Sequence, residues 1–284
     1  MAENSPAEAY QQLLDRAERV GTLETMDNLL FWDQQVMMPP GGTPARSTQR
    51  GLVSSLQHEA LTGDDVEEWL DTVADADLDD DEQAVVREVR REHERKASVD
   101  QTLTEEINSV ISEANDAWEE AKATDDFDTF APYLEELLEL KREQANQIDP
   151  DKEPFAVMLE EYEPYVGVDT AERVLDNLKE ALVPLIEEIR ASDVDPSGPF
   201  VERGPYDEDT QMALSEDALS FVQCDWDRAR LDTSPHPFSY GNRYDMRITT
   251  RFHDHSPVDG LDSSLHEYGH ATYEMGLDED AFPG

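Results

Sequence analysis

Apolar residues recur at helical spacing through most of the chain. Leu13, Leu14, Ala17, Val20, Leu23 and Met26 fall three and four apart, which predicts a helix over 5–28. From Leu29 that spacing is lost. Leu29, Leu30, Phe31 and Trp32 run together, and Pro39-Pro40-Gly41-Gly42 closes the stretch, so a buried turn between two helices is expected over 29–42. Thr43 reads as an N-cap with Pro44 at the first helical position, opening a helix to about Leu61. Amphipathic helices with acidic outer faces follow at about 64–74, at 80–97, from Thr102 or Thr104, and at 128–148. Pro150, Pro154, Pro164 and Gly167 mark 149–167 as a loop with one short helix around Met158. Asp169, with Glu172 three residues on, caps a helix to Ala191 that Pro184 is expected to kink. A Pro/Gly-rich loop is expected at 193–205, then a helix over 207–230 carrying Phe221, Cys224 and Trp226.

The period changes after Leu231. Ser234-Pro235-His236-Pro237-Phe238-Ser239 is extended, because residues before proline avoid the helical region. Over 244–252 the pattern alternates. Tyr244, Met246, Ile248, Thr250 and Phe252 share one face, and Asp245, Arg247, Thr249 and Arg251 the other. A period of two is a strand. A last helix begins near Pro257 to Asp259 and stops at Gly276. Leu261, Leu265, Tyr268, Thr272 and Met275 are its expected core face, with Asp262, His266, His270 and Tyr273 opposite. The fold expected is mainly α, with a small sheet. It forms one domain over 1–284, mostly helical over 1–230, with the strand and final helix in 231–284.

Composition changes the picture in one respect. Asp and Glu number 68 against 22 Lys and Arg, a formal net charge of −46 in 284 residues. Self-repulsion of that size opposes compaction. At molar salt the Debye length falls to roughly 3 Å, so a folded, salt-adapted protein with an acidic solvated surface is expected. That surface argues against nucleic acid and anionic membranes as partners. The single Cys224 excludes an internal disulfide, and no apolar run has the length of a membrane span. Met1 to Asp15 lacks the apolar core of a signal peptide, so a cytoplasmic location is expected.

The chemistry concentrates in His266-Glu267-Tyr268-Gly269-His270. Residues four apart on a helix differ by about 40° and 6 Å, so His266 and His270 can share one metal ion. Glu267 lies beside them, where a carboxylate reaches a metal-bound water as general base. The preceding strand suits pairing with an extended peptide. A catalytic zinc site needs three protein ligands, and two are evident. Glu274 lies roughly 12 Å along the helix from His266, too far to join them. His236, between two prolines, suits a substrate-facing role. His253 and His255 read as surface residues. Arg247 either holds a carboxylate or pairs with Asp245.

These residues resemble the carboxypeptidase Taq family of metallocarboxypeptidases. The resemblance rests on Phe31-Trp32-Asp33 through Met37-Met38-Pro39-Pro40-Gly41-Gly42, with Arg46 and Gln49. It continues in Arg230-Leu231-Asp232, His236-Pro237-Phe238, Asp245-Met246-Arg247-Ile248-Thr249 and the His-Glu-x-x-His stretch. It implies a helical zincin-type fold with a small sheet beside a zinc cleft. It implies removal of C-terminal residues from peptides with broad specificity, one zinc per subunit replaceable by cobalt, and a homodimer. His266 and His270 are then metal ligands and Glu267 the base. Asp245, Arg247, Thr249 and His236 belong to the substrate cleft. Family members are much longer. Their third ligand is a Glu in a later His-Glu-Ser-Gln-Ser motif, which this sequence lacks, so the chain reads as an incomplete domain with that ligand expected beyond Gly284. The alternatives are another His-Glu-x-x-His zinc endopeptidase, or an inactive fragment that needs a second chain.

Overall fold

Helix α1 (Pro6–Val36) runs on through the stretch where a turn was expected. Its start is a capping box: the Ser5 hydroxyl accepts from Glu8 N while Glu8 accepts from Ser5 N. Nothing in 29–36 forbids helix, and Trp32, 5% exposed, rewards its continuation by burial. Pro39 and Pro40 end it, in a short turn at Pro40–Gly42. The structure, a computed structural model, describes residues 5–194 and 204–277. Most of the loop expected at 193–205 lies outside them.

Two units are distinguished, Met1–Val89 with Asp195–Gly284, and Arg90–Val194. In the first, α1 packs on α2 (Thr43–Thr62) and α3 (Asp64–Val73). Gly42, rather than Thr43, caps α2, and Thr43 is its first helical residue. Ala9, Leu13, Val66, Leu70 and Val73 form a core joined by Val89 of α4 (Asp80–Ala97). Burying each such Leu or Val contributes about 1.5–3 kcal/mol. Arg46 of α2 is 9% exposed. It donates to Leu30 O, Asp33 and Gln49 Oε1 (3.1 Å), satisfying the turn that carries Trp32.

The second unit is helical: α5 (Gln101–Thr124), α6 (Ala131–Ile148), α7 (Pro154–Tyr162) and α8 (Val168–Ala191). Val99, Leu103 and Ile107 pack against Leu140 and Ile148. Arg91 and Arg95 reach the backbone of α7. Gly167 caps α8, placing Asp169 in the first turn, and the helix passes through Pro184 unbroken. None of its described residues is buried. Leu175, Leu178, Leu182, Leu185 and Ile189 form an exposed apolar stripe at alternating spacings of three and four.

The expected helix over 207–230 is instead α9 (Glu208–Phe221) followed by a turn and a strand. Gln223 adopts φ +67 and Asp225 caps a tight turn through Asp227 N and Arg228, which stops the helix short. The sheet has three strands: β1 (Ala229–Thr233), β2 (Ser239–Asn242) and β3 (Asp245–Thr250), in the order β1-β3-β2. β1 runs parallel to β3, with Arg230 beside Arg247, and β2 runs antiparallel with Tyr240 beside Arg247. The period-two reading of 244–252 holds in β3 as far as Ile248, with Met246 and Ile248 in the core, whereas Thr249 of the expected polar face is buried as well.

The last helix, α10 (Pro257–Met275), starts at Ser256, whose hydroxyl accepts from Val258 N, and ends at Gly276 as expected. Its packed face agrees with expectation only in part: Tyr268 and Met275 pack against the core as expected. The buried residues are Gly260, Ser264, Glu267 and Ala271, while Leu265 is 38% exposed. Small residues let the helix lie close to the sheet. A Cβ on Gly260 would stand 2.3 Å from the Phe252 ring. Thr250 Oγ1 and Ser264 Oγ both donate to Gly260 O, at 2.9 and 2.7 Å. The general mainly helical architecture with a small sheet is therefore as read from sequence.

Candidate active site

Helix α10 presents His266 and His270 on an exposed face, with ring centroids 5.0 Å apart. Glu267 lies beside them, at the edge of the packed stripe, and is 9% exposed. No hydrogen bond or ion pair from the described residues engages its carboxylate. Its oxygens stay accessible rather than sealed in the core. Its open side is a cavity of about 910 Å³ between α1, β2 and α10. Glu267, Gly269, His270, Tyr273 and Glu274 line one wall. His236 to Asn242 line a second wall, and Gly21, Glu24, Thr25 and Asn28 of α1 a third.

Two imidazoles one helical turn apart, with a carboxylate between them in sequence, fit a divalent ion that prefers nitrogen donors. Among the described residues no group of three His, Cys, Asp or Glu side chains gathers to hold an ion. Glu274 lines the cavity but does not complete such a group. Among the described lining residues none is Lys or Arg.

Of the residues assigned to the cleft from sequence, His236 is on the cavity wall and the other three are not. Arg247 forms a bidentate pair with Asp245, Nε to Oδ1 at 2.5 Å and Nη2 to Oδ2 at 2.7 Å. Its guanidinium lies 4.5 Å from the Trp32 ring centroid. Arg230, paired likewise with Asp232, lies 4.9 Å from the same ring. Two like charges on adjacent strands are tolerated because each has its own carboxylate and both share the indole face. The arrangement ties α1 to the sheet. Thr249 is fully buried under the Ser234–Phe238 segment. Sequence reading missed the α1 wall. Gly21, Glu24, Thr25 and Asn28 do fall at helical spacing, but a polar stripe of that kind is indistinguishable from a solvated face.

The model of the carboxypeptidase Taq (M32) metallopeptidase family matches residues 12–283. The chain belongs to the carboxypeptidase Taq family. Carboxypeptidase 1 of Bacillus subtilis is 30% identical over 272 residues, covering 95% of this chain and 54% of the relative. Thermostable carboxypeptidase 1 of Thermus thermophilus is 33% identical, covering 96% and 56%. Among solved structures, a Pyrococcus furiosus carboxypeptidase superposes with a TM-score of 0.87 at 30% identity, over 96% of this chain and 56% of that one. An M32 carboxypeptidase of Deinococcus radiodurans gives 0.85 at 29% identity, over 96% and 55%. The chain thus spans about half the length of the carboxypeptidase Taq relatives it matches. The family is one of metallopeptidases, which makes a divalent metal and a peptide substrate properties of the family. No helix among the described residues is long and apolar enough to cross a membrane.

Proposed function

We propose that this chain carries the metal-binding and proton-transfer part of a metallocarboxypeptidase site that releases C-terminal amino acids from peptides with broad specificity. The observation that supports this most is Glu267, unpartnered and open to a cavity that His270 also lines, next to His266 on the same helix. His266 and His270 would hold the ion, zinc by their nitrogen donors, with cobalt able to substitute. When bound, the ion supplies a Lewis acid beside the scissile carbonyl. Glu267 takes a proton from the attacking water as its oxygen bonds to the carbonyl carbon. The same carboxyl then gives that proton to the amide nitrogen as the C–N bond breaks. His236 contacts the peptide from the facing wall, and the rim of β2 lies alongside an extended substrate. The single buried Cys224 is consistent with a reducing, cytoplasmic setting, and a homodimer accompanies the family reading.

The empty set of third donors favours a second reading of the same chain. Its site is completed by groups outside the described residues, which supply a third ligand and a cation for the substrate carboxylate. The two readings share one test. In a preparation that hydrolyses peptide, Glu267→Gln lowers turnover at least about a hundredfold while zinc content by mass spectrometry stays the same. His266→Ala or His270→Ala lowers zinc content itself. Turnover retained by Glu267→Gln refutes its role as base. Products longer than single C-terminal residues point to an endopeptidase instead.

A further inference from the structure

The segment Ser234-Pro235-His236-Pro237-Phe238 forms the cavity wall opposite α10, and it cannot hold itself in place. Two of its five residues lack an N–H, so it has no ladder of its own. Its backbone groups are met from β3 and by the residue that opens it. Arg251 Nη1 donates to Pro235 O at 3.2 Å. Ser234 Oγ donates to His236 O at 2.6 Å. Phe238 N donates to Thr249 Oγ1 at 2.9 Å, and Thr249 N donates to Phe238 O at 2.8 Å. A 2.8 Å bond between the Ser234 and Thr249 hydroxyls closes the circuit. Ser234 is 7% exposed and Thr249 0%, so water cannot replace either hydroxyl. Neither is on the cavity wall, whereas His236 is.

We propose that Thr249 and Ser234 are positioning residues that pin the His236 wall of the cavity, and that Thr249 does not touch the substrate. The proposal rests on the reading of this cavity as the peptide site. Proline on both sides of His236 leaves its backbone little freedom, so fixing the two flanking points fixes where the side chain leaves the wall. The same pin seats Phe238 against Phe31 and Tyr240, with ring centroids 5.1 and 5.4 Å away, which holds the segment to α1 and β2.

The test uses the full chain as Glu267→Gln, so that no turnover competes, with excess zinc and the peptide acetyl-Ala-Ala-Leu as probe. Thr249→Val keeps the shape of the side chain and removes the hydroxyl. It is expected to speed hydrogen exchange at Phe238 N–H at least about tenfold and to weaken peptide binding by about tenfold, with the far-ultraviolet dichroism unchanged. Thr249→Ser restores both. Added to His236→Ala, Thr249→Val causes no further loss of affinity, because its effect passes through His236. An equal loss with and without His236 overturns the proposal, as does unchanged exchange at Phe238. If Thr249→Val does not fold, Ser234→Ala carries the same test through His236 O. A peptide that binds none of the forms, while Phe238 exchange still answers to Thr249→Val, sinks the reading of the cavity and leaves the pin.

Discussion

Glycine to alanine is one chemical change, yet at two positions here it is expected to act with opposite sign. Gly241 lies in β2, opposite Met246, at φ +146, a conformation L residues rarely adopt. A Cβ built there would stand 2.0 Å from Asp245 O and 3.0 Å from Met246 Cα. Both are backbone atoms of the paired strand, so no side chain can swing aside. Relief requires β2 to withdraw by about an ångström, which strains or breaks the Gly241–Met246 and Asn242–Asp245 pairs. Holding the unfavourable φ costs about 1–3 kcal/mol, and each weakened backbone bond about 1 more. Gly241→Ala is thus expected to destabilise by about 3–5 kcal/mol. Gly51, exposed inside α2 with nothing within 4 Å of its Cβ position, supplies the control. There the same methyl removes backbone freedom from the unfolded chain and is expected to stabilise by about 0.5–1 kcal/mol. Urea denaturation at constant salt, followed by tryptophan emission, measures both. A Gly241→Ala chain within about 0.5 kcal/mol of the unmodified one refutes the close strand packing from which the figure was worked.

Other outcomes follow from particular contacts. Arg46→Lys keeps the charge but loses the planar fork shared by Leu30 O, Asp33 and Gln49, so the urea midpoint should fall by the equivalent of about 2 kcal/mol; an unchanged midpoint argues against the fork. Burial, and then the neighbouring Asp225, push the Cys224 thiol up to about 11 from 9.0. The folded state therefore holds that proton where the unfolded one releases it, so this stabilisation is complete below about pH 9 and is lost as pH rises through about 11. Iodoacetamide at pH 8 should modify the folded thiol roughly a hundredfold more slowly than the urea-unfolded one, and equal rates contradict the burial. Leu178→Glu with Leu182→Glu should abolish most binding of a hydrophobic dye by the α8 stripe; undiminished fluorescence would mean the stripe is covered.

What could be read from sequence depended on whether the signal was local. β3 declares itself because Met246, Ile248 and Thr250 alternate with polar neighbours, and α10 because Ser256-Pro257 and Gly276 bracket it. β1 and β2 were not legible, since five and four residues give too few repeats of any period. Counting apolar residues placed the core face of α10 on Leu261, Leu265, Tyr268, Thr272 and Met275, of which Tyr268 and Met275 do pack against the core. The true face is chosen by how closely a helix approaches a sheet, a property of two elements together. His266, Glu267 and His270 stand together as their spacing required, whereas Thr249 looked like a cleft residue. Its partners, Ser234 and Phe238, lie 15 and 11 positions away, beyond any pattern along the strand.

The narrow seam of Gly260, Ser264 and Ala271 has a consequence for the chemistry one turn away. Glu267 occupies the same stripe, so the thickness of its neighbours sets how far the carboxylate stands from the sheet. The seam behaves as a shim. A single methylene added at Ala271, which is 0% exposed, would lift the whole helix and carry the Glu267 carboxylate outward with it, although Ala271 does not line the cavity. The depth of the Glu267 carboxylate thereby becomes adjustable through the size of residues that do not line the cavity.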